Sequence, residues 1–312
     1  MLHADDLRGI VPPITTPLTD SDTIDRDAVG RLVDWFIDAG VVGIFAIGSS
    51  GEGPSLTREM RYEMVDACAD ALGGRLPLLA GVSSPSFQES VAQAERAGEL
   101  GADAIVATCP YYFLYGQNEL RAYFEALVDA SPLPLVLYDI PSRSDNELSL
   151  HTVLQLADNE RIIGIKDSTG NIERGIDLVN LTAGRDDFTI LQGSEMLMGA
   201  AALMGYDGAV AGMANACPKL FVALHQAGGD GDVARTRELQ ETINASFPYF
   251  FAAEPGTRHV GSIVGAMKTA QELQGLCSRR LLFPARQITD DDVASIKDLL
   301  DPLAEAGWIS YA

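Results

Sequence analysis

Lys166 closes the apolar run Ile162-Ile163-Gly164-Ile165 and is one of only four lysines in 312 residues, with Lys219, Lys268 and Lys297. A short Ile-rich run bounded by polar residues reads as a strand buried on both faces. Lysine is almost never fully buried unless paired, so an ammonium at that strand end asks for a chemical reason. Desolvation disfavours the charged amine, and a neutral amine can attack a ketone to form a Schiff base. The structural alternative is a lysine past the strand end with its head in water, or one paired with a buried carboxylate. Tyr138 stands near the end of the preceding apolar run, where a phenol can move protons over the same cavity. Arg143 can clamp an anion with a bidentate fork, or make a surface ion pair. In Gly48-Ser49-Ser50-Gly51-Glu52, small residues let backbone N–H groups approach a carboxylate while two hydroxyls add hydrogen bonds. The plain alternative is a glycine turn with its serines facing water. The aromatic run Tyr111-Tyr112-Phe113 serves either a site or packing.

Positioning these groups calls for repeated strand and helix units. Apolar runs at 9–16, 43–47, 76–82, 104–108, 135–140, 162–167, 188–193 and 208–212 alternate with amphipathic stretches. In 25–39, Val29, Leu32, Val33, Phe36 and Ile37 share one face, with Asp25 as cap; Ser86-Phe87-Gln88-Glu89 has capping-box spacing. Such repeats point to a parallel sheet, and eight of them to a (β/α)₈ TIM barrel, an α/β fold with its chemistry at the C-terminal strand ends. The alternative, a doubly wound open sheet, lacks its GxGxxG fingerprint and any Walker lysine. Beyond the eighth run only helices are expected, near 233–246, 257–274 and 290–305. The chain divides into a catalytic barrel over 1–228 and a C-terminal helical appendage over 229–312, packed on it.

Composition narrows the function. The chain carries 44 acids against 22 bases, a formal net charge of −22, which argues against nucleic-acid binding. Such self-repulsion is tolerated best in concentrated salt, so a halophilic source is expected. No apolar run approaches a membrane span, and the acidic N-terminal segment lacks a signal pattern, so a cytoplasmic location is expected. Cys68, Cys109, Cys217 and Cys277 are widely spaced and read as reduced core residues; the four histidines are scattered, giving no metal motif.

Taken together, Gly48-Ser49-Ser50-Gly51-Glu52, Pro110-Tyr111-Tyr112, Tyr138 with Pro141-Ser142-Arg143, and Gly164-Ile165-Lys166-Asp167 resemble the dihydrodipicolinate synthase / N-acetylneuraminate lyase family in order and spacing. The resemblance implies a class I aldolase acting through a lysine–pyruvate Schiff base, with no metal or organic cofactor. By position, Lys166 is the Schiff-base lysine and Tyr138 the proton shuttle. Ser50 and the amides of Gly48 and Gly51 hold the pyruvyl carboxylate, and Ser49 and Tyr112 complete a proton relay. In this family the tyrosine matching Tyr112 reaches in from a neighbouring subunit, and a homotetramer built as a dimer of dimers is expected.

The aldehyde partner is the finer question. Pro141-Ser142-Arg143 is similar to the synthase branch, where the matching arginine binds the carboxylate of aspartate semialdehyde. Ser144-Asp145 and Phe113 depart from that branch. Gly53-Pro54-Ser55-Leu56 with Pro110-Tyr111-Tyr112-Phe113 is similar to 2-keto-3-deoxygluconate aldolases, and Asp145 favours hydroxyl recognition. The sugar-acid aldolase is therefore the expected activity, with dihydrodipicolinate synthase the alternative. A catalytically silent barrel that senses a 2-oxo acid is the reading from another class; it does not need both Lys166 and Tyr138.

Overall fold

The computed structural model describes residues 2–257 and 259–312. Seven parallel strands, β1 (Ile44–Ala46), β2 (Leu78–Gly81), β3 (Ala104–Thr108), β4 (Leu135–Asp139), β5 (Ile162–Asp167), β6 (Thr189–Gln192) and β7 (Gly208–Ala209), pair in sequence order. All their residues are buried except Thr108, which is partly open. Between them run α1 (Arg26–Asp38), α2 (Arg58–Leu72), α3 (Phe87–Glu99), α4 (Gln117–Ala130), the short α5 (Pro141–Ser144), α6 (Leu150–Ala157), α7 (Ile172–Thr182) and α8 (Met198–Met204). The expected strand at 9–16 is not a regular one. Only Ile10 bridges, to Ala209. Pro12 and Pro13 have no N–H to continue a ladder. The segment still bonds on both sides: Val11 N donates to Ala209 O at 2.8 Å, and Val42 and Phe45 N donate to Ile10 and Pro12 O, each at 3.0 Å.

Strand alternation sorts the core. Val136 and Tyr138 of β4 join Phe45, Leu79, Val106 and Leu191 in an inner cluster, whereas Leu135 and Leu137 pack outward with Leu120, Phe124 and Leu156 of α4 and α6. On β5 the alternation is broken deliberately. Leu135 pairs with Ile162 but Val136 with Gly164, so Ile163 is an extra residue. Ile162 and Ile165 consequently share the outer cluster while Ile163 joins the inner one. An unbroken strand would aim Lys166 outward with Ile162; the bulge turns it inward, beside Tyr138. Gly164 lets β5 pass close to β6, since a Cβ there would collide with Thr189.

The helices start largely as their residues dictate. Asp25 caps α1 by accepting from Ala28 N at 3.0 Å. The buried stripe Val29, Leu32, Val33 and Phe36 contributes about 1.5–3 kcal/mol per side chain. The capping box expected at Ser86 does not form, because Glu89 is engaged by Arg58 and by Gln93. The four cysteines are buried and unpaired, as expected for core residues. After α9 (Pro218–Gly229) come α10 (Val233–Ser246), α11 (Val260–Leu273) and α12 (Asp290–Glu305). Helix α11 is buried at every residue from Val264 to Gln271, and its Val260, Ile263, Val264 and Met267 line the cavity at the C-terminal strand ends. Thr15 Oγ1 donates to Gln271 Oε1 at 2.6 Å, and Gln271 Nε2 to Asn215 Oδ1 at 3.2 Å, tying that helix to the sheet through buried polar groups. Among the described residues no helix is long and apolar enough to cross a membrane.

Candidate active site

A cavity of about 370 Å³ opens at the C-terminal strand ends, between the loop that follows β1, the ends of β3 and β4, and helix α11. That is the small end of the usual range for ligand pockets. It brings together five of the expected residues: Gly48, Ser49, Ser50, Tyr138 and Arg143 all line it. Lys166 lies beneath this lining, 5% exposed. Its Nζ is 4.0 Å from the centre of the Tyr138 ring and 5.4 Å from that of Phe45. Tyr138 and Lys166 are register partners on adjacent strands, so the amine and phenol are placed by backbone pairing and not by loops.

The loop after β1 is held in a strained shape. Ile47 has φ 61° and Glu52 has φ 55°. A β-branched residue in the left-handed region is an outlier, costing on the order of 1–3 kcal/mol. Glycines make the shape feasible: a Cβ at Gly53 or Gly81 would collide with the Ile47 carbonyl oxygen. Gly51 does not line the cavity; it lies beneath, where a Cβ would sit 3.0 Å from Ile14 O, and Thr16 Oγ1 donates to its carbonyl at 2.7 Å. What opposes relaxation is an ion pair. Lys268 of α11, fully buried, donates to Glu52 Oε1 at 2.5 Å and to Arg280 O at 2.7 Å, and Leu282 N donates to Glu52 Oε2 at 3.0 Å. Burial pushes the Lys268 ammonium below its ordinary pKa, and Glu52 pulls it back up.

Charged groups lie on both sides of the reactive strands, Glu195 within electrostatic reach of Lys166. Glu195 Oε1 accepts from Met213 N at 3.1 Å, and a Cβ on Gly212 would lie 3.2 Å from that oxygen and 3.5 Å from Ser50 Oγ. Burial raises the Glu195 carboxyl, and the backbone donors and the charge of Lys166 lower it. Behind the strands, Asp139 and Asp167 follow Tyr138 and Lys166 and point to the opposite face. Arg174 binds both, at 2.6 and 3.3 Å, and Tyr206 donates to Asp167 Oδ2 at 3.1 Å. Burial pushes the Asp139 carboxyl up to about 7 even though the Arg174 guanidinium draws it down.

Tyr112 is the expected residue the chain does not bring to its own pocket. It is 85% exposed at φ 85°, with Phe113 and Leu114 also exposed, and Tyr111 lines the cavity in its stead. Phe113, taken from the sequence as a specificity residue, is likewise exposed and outside the cavity lining. Glu52 with Lys268, Glu195, Arg174 and Arg61 were missed as site residues. A signal existed for one of them: Glu195 follows the β6 run, at a strand end where barrel chemistry is expected.

A model of the Dihydrodipicolinate synthetase family matches residues 6–302. The chain belongs to that family. Like other members of the dihydrodipicolinate synthetase family, it is a pyruvate-dependent carbon–carbon lyase of the class I aldolase type. It is 33% identical to an uncharacterized DapA-like lyase of Halobacterium salinarum, over 95% of this chain and 94% of the relative. It is 31% identical to the 4-hydroxy-tetrahydrodipicolinate synthase of Gluconacetobacter diazotrophicus, over 94% of this chain and 96% of that enzyme. Among solved structures, dihydrodipicolinate synthase from Bacteroides thetaiotaomicron superposes with a TM-score of 0.91 at 34% identity, covering 97% of this chain and all, 100%, of that one. A prophage protein of the same family from E. coli K12, solved in complex with pyruvate, gives 0.88 at 31% identity, covering 95% and 98%.

Proposed function

We propose that this lyase forms and cleaves the bond between pyruvate and a hydroxylated aldehyde, as a 2-keto-3-deoxygluconate-type aldolase on a closed (β/α)₈ barrel of residues 1–228. Residues 229–312 form the helical region packed on it. The observation that carries the reading is the buried Lys166 amine, 4.0 Å from the centre of the Tyr138 ring, which with Ser49 and Ser50 lines the pocket. Lys166 Nζ adds to C2 of the 2-oxo acid, and loss of water leaves an iminium. In cleavage, Tyr138 takes the proton of the C4 hydroxyl as the C3–C4 bond breaks, and the bonding pair enters the iminium to give an enamine. Protonation at C3 and hydrolysis release pyruvate and restore the amine. Ser50 with the Gly48 amide holds the carboxylate. Ser49 and a Tyr112 contributed by a second copy pass the proton on; the exposed Tyr112-Phe113-Leu114 supports such an exchange within a homotetramer.

The acceptor loop supports the sugar-acid reading. Arg143 lines the pocket and the exposed Asp145 follows it at φ 54°, a carboxylate suited to hydroxyl groups. The synthase activity named for several relatives keeps a second reading open, condensation of pyruvate with aspartate semialdehyde. The deciding experiment is a pyruvate-release assay with 2-keto-3-deoxygluconate, in multimolar salt, against the condensation with aspartate semialdehyde. Rapid release supports the aldolase; condensation alone moves the enzyme to the synthase branch, with Arg143 as its carboxylate clamp.

The net charge of −22 supports adaptation to high salt. At about 0.1 M salt, repulsion between surface acids persists over ~10 Å, against ~3 Å at 1 M. The unfolding midpoint is expected to rise steeply from about 0.1 M to multimolar potassium chloride. Equal midpoints at both ends would remove this part of the proposal.

A further inference from the structure

Two arginines are buried among the described residues, and they are treated differently. Arg174, 7% exposed, meets Asp139 and Asp167 at 2.6 and 3.3 Å. Arg61, 9% exposed on α2, forms an ion pair with no carboxylate among the described residues. Its contacts are neutral: Nη1 donates to Gln93 Oε1 at 2.8 Å and reaches Ser83 O at 3.5 Å, and Nε reaches Leu56 O at 3.5 Å. Nη2 makes no hydrogen bond among the described residues, and the side chain lines the active-site cavity. The nearest acid is already committed. Glu89 is held by Arg58 Nε at 3.0 Å and receives Gln93 Nε2 at 3.2 Å, so the one carboxylate near Arg61 is shared with a second, exposed guanidinium outside the cavity lining.

A buried guanidinium with no carboxylate in ion-pair contact is costly, Glu89 acting on it only from a distance, and a chain with 44 acidic residues had many means of supplying a direct partner. Burial lowers the Arg61 pKa, the sign of a charge held away from water. Around it the wall is polar, with Ser55, Ser83 and Tyr111 beside Arg61. The keto-acid groups Ser50 and Tyr138 line the same cavity, so a ligand there can meet both ends.

We propose that Arg61 is an anion site of the pocket, taking a phosphate-type oxyanion on its open Nη2 edge. On the aldolase reading above, that oxyanion is the distal group of the acceptor; the other source of the same chemistry is free inorganic phosphate. A planar guanidinium suits such a group bidentately, which an ammonium does not.

The test uses the full chain and two variants, Arg61→Gln and Arg61→Lys, with folding checked by circular dichroism. Condensation of pyruvate is measured with glyceraldehyde and with glyceraldehyde 3-phosphate, and thermal unfolding with inorganic phosphate at constant ionic strength. For the acceptor source, the wild type favours the phosphorylated aldehyde by about tenfold or more through KM, and inorganic phosphate competes with it. Arg61→Gln loses that preference and Arg61→Lys keeps part of it. For the free-anion source, phosphate raises the unfolding midpoint of the wild type and not of Arg61→Gln, while the two aldehydes are ranked alike in both. The proposal is overturned if the wild type shows neither acceptor preference nor phosphate stabilisation, a result that needs no variant. It is equally overturned if Arg61→Gln folds and matches the wild type in both. Borohydride trapping of pyruvate on the wild type is run alongside: its failure sinks the aldolase reading, while the phosphate measurement still decides the anion site.

Discussion

Lys166→Ala is expected to lose borohydride-dependent attachment of pyruvate entirely and to slow pyruvate release by roughly 10⁴-fold or more, since the covalent route itself disappears. The distribution of lysines makes this sharp. Lys268 is engaged by Glu52 and the Arg280 carbonyl, and Lys297 by Asp301 at 2.7 Å. Lys219 lines a separate cleft with Trp35 and Trp308. Of the four, Lys166 alone lies beneath the Tyr138 ring. Mass spectrometry of the reduced protein should therefore place a single pyruvyl adduct on the peptide containing Lys166. An adduct persisting in Lys166→Ala, or mapping elsewhere, would refute its assignment as the nucleophile. Lys166→Arg provides the control, keeping a cation over the phenol without a competent amine.

Lys268→Met is expected to cost about 3–5 kcal/mol of stability, because it strands the buried Glu52 carboxylate without its cation. Glu52→Gln should be similarly destabilising, leaving a buried ammonium. The double variant should recover much of the loss, since removing both charges also removes their desolvation. Urea unfolding of the set reads this out; single variants costing less than about 1 kcal/mol would show that the pair does not hold the fold. Activity provides a second readout. With the brace gone, the strain at Ile47 can relax, so KM for pyruvate should rise more than kcat falls in whatever fraction remains folded. A change confined to stability would limit the pair to a structural role.

Much of this arrangement was legible in the residues. Apolar runs lead into Lys166 and Tyr138, and the structure makes the two register partners near the C-terminal ends of β5 and β4, with the amine 4.0 Å from the phenol ring centre. Helices α10 and α12 match their expected bounds, each opening on a side-chain cap, Asp232 accepting from Arg235 N and Thr289 from Asp292 N. Other features depend on partners distant in sequence. The bulge at Ile163 shows only in pairing with β4, since four apolar residues in succession carry no alternation to interrupt. Glu52 and Lys268 lie 216 positions apart, and neither stands in a pattern that names the other. The Ser86 box failed for a related reason: spacing offered Glu89 to the cap, but Arg58 took it from a neighbouring helix. Arg61 resembled any exposed helical arginine until its burial against neutral hydrogen-bond partners was visible.

The Asp139–Arg174–Asp167 brace has a consequence for how such an enzyme can diversify. It clamps the strand ends from behind, one residue beyond Tyr138 and Lys166, and none of its three residues lines the cavity. Ser142, Arg143 and Asp145 stand outside that clamp, exposed on a short helix and its end. Side chains there can be exchanged without disturbing the spacing of amine and phenol. Carbon–carbon chemistry and choice of aldehyde are thereby separable by mutation, and a lineage can try new acceptors while its reactive pair stays in register.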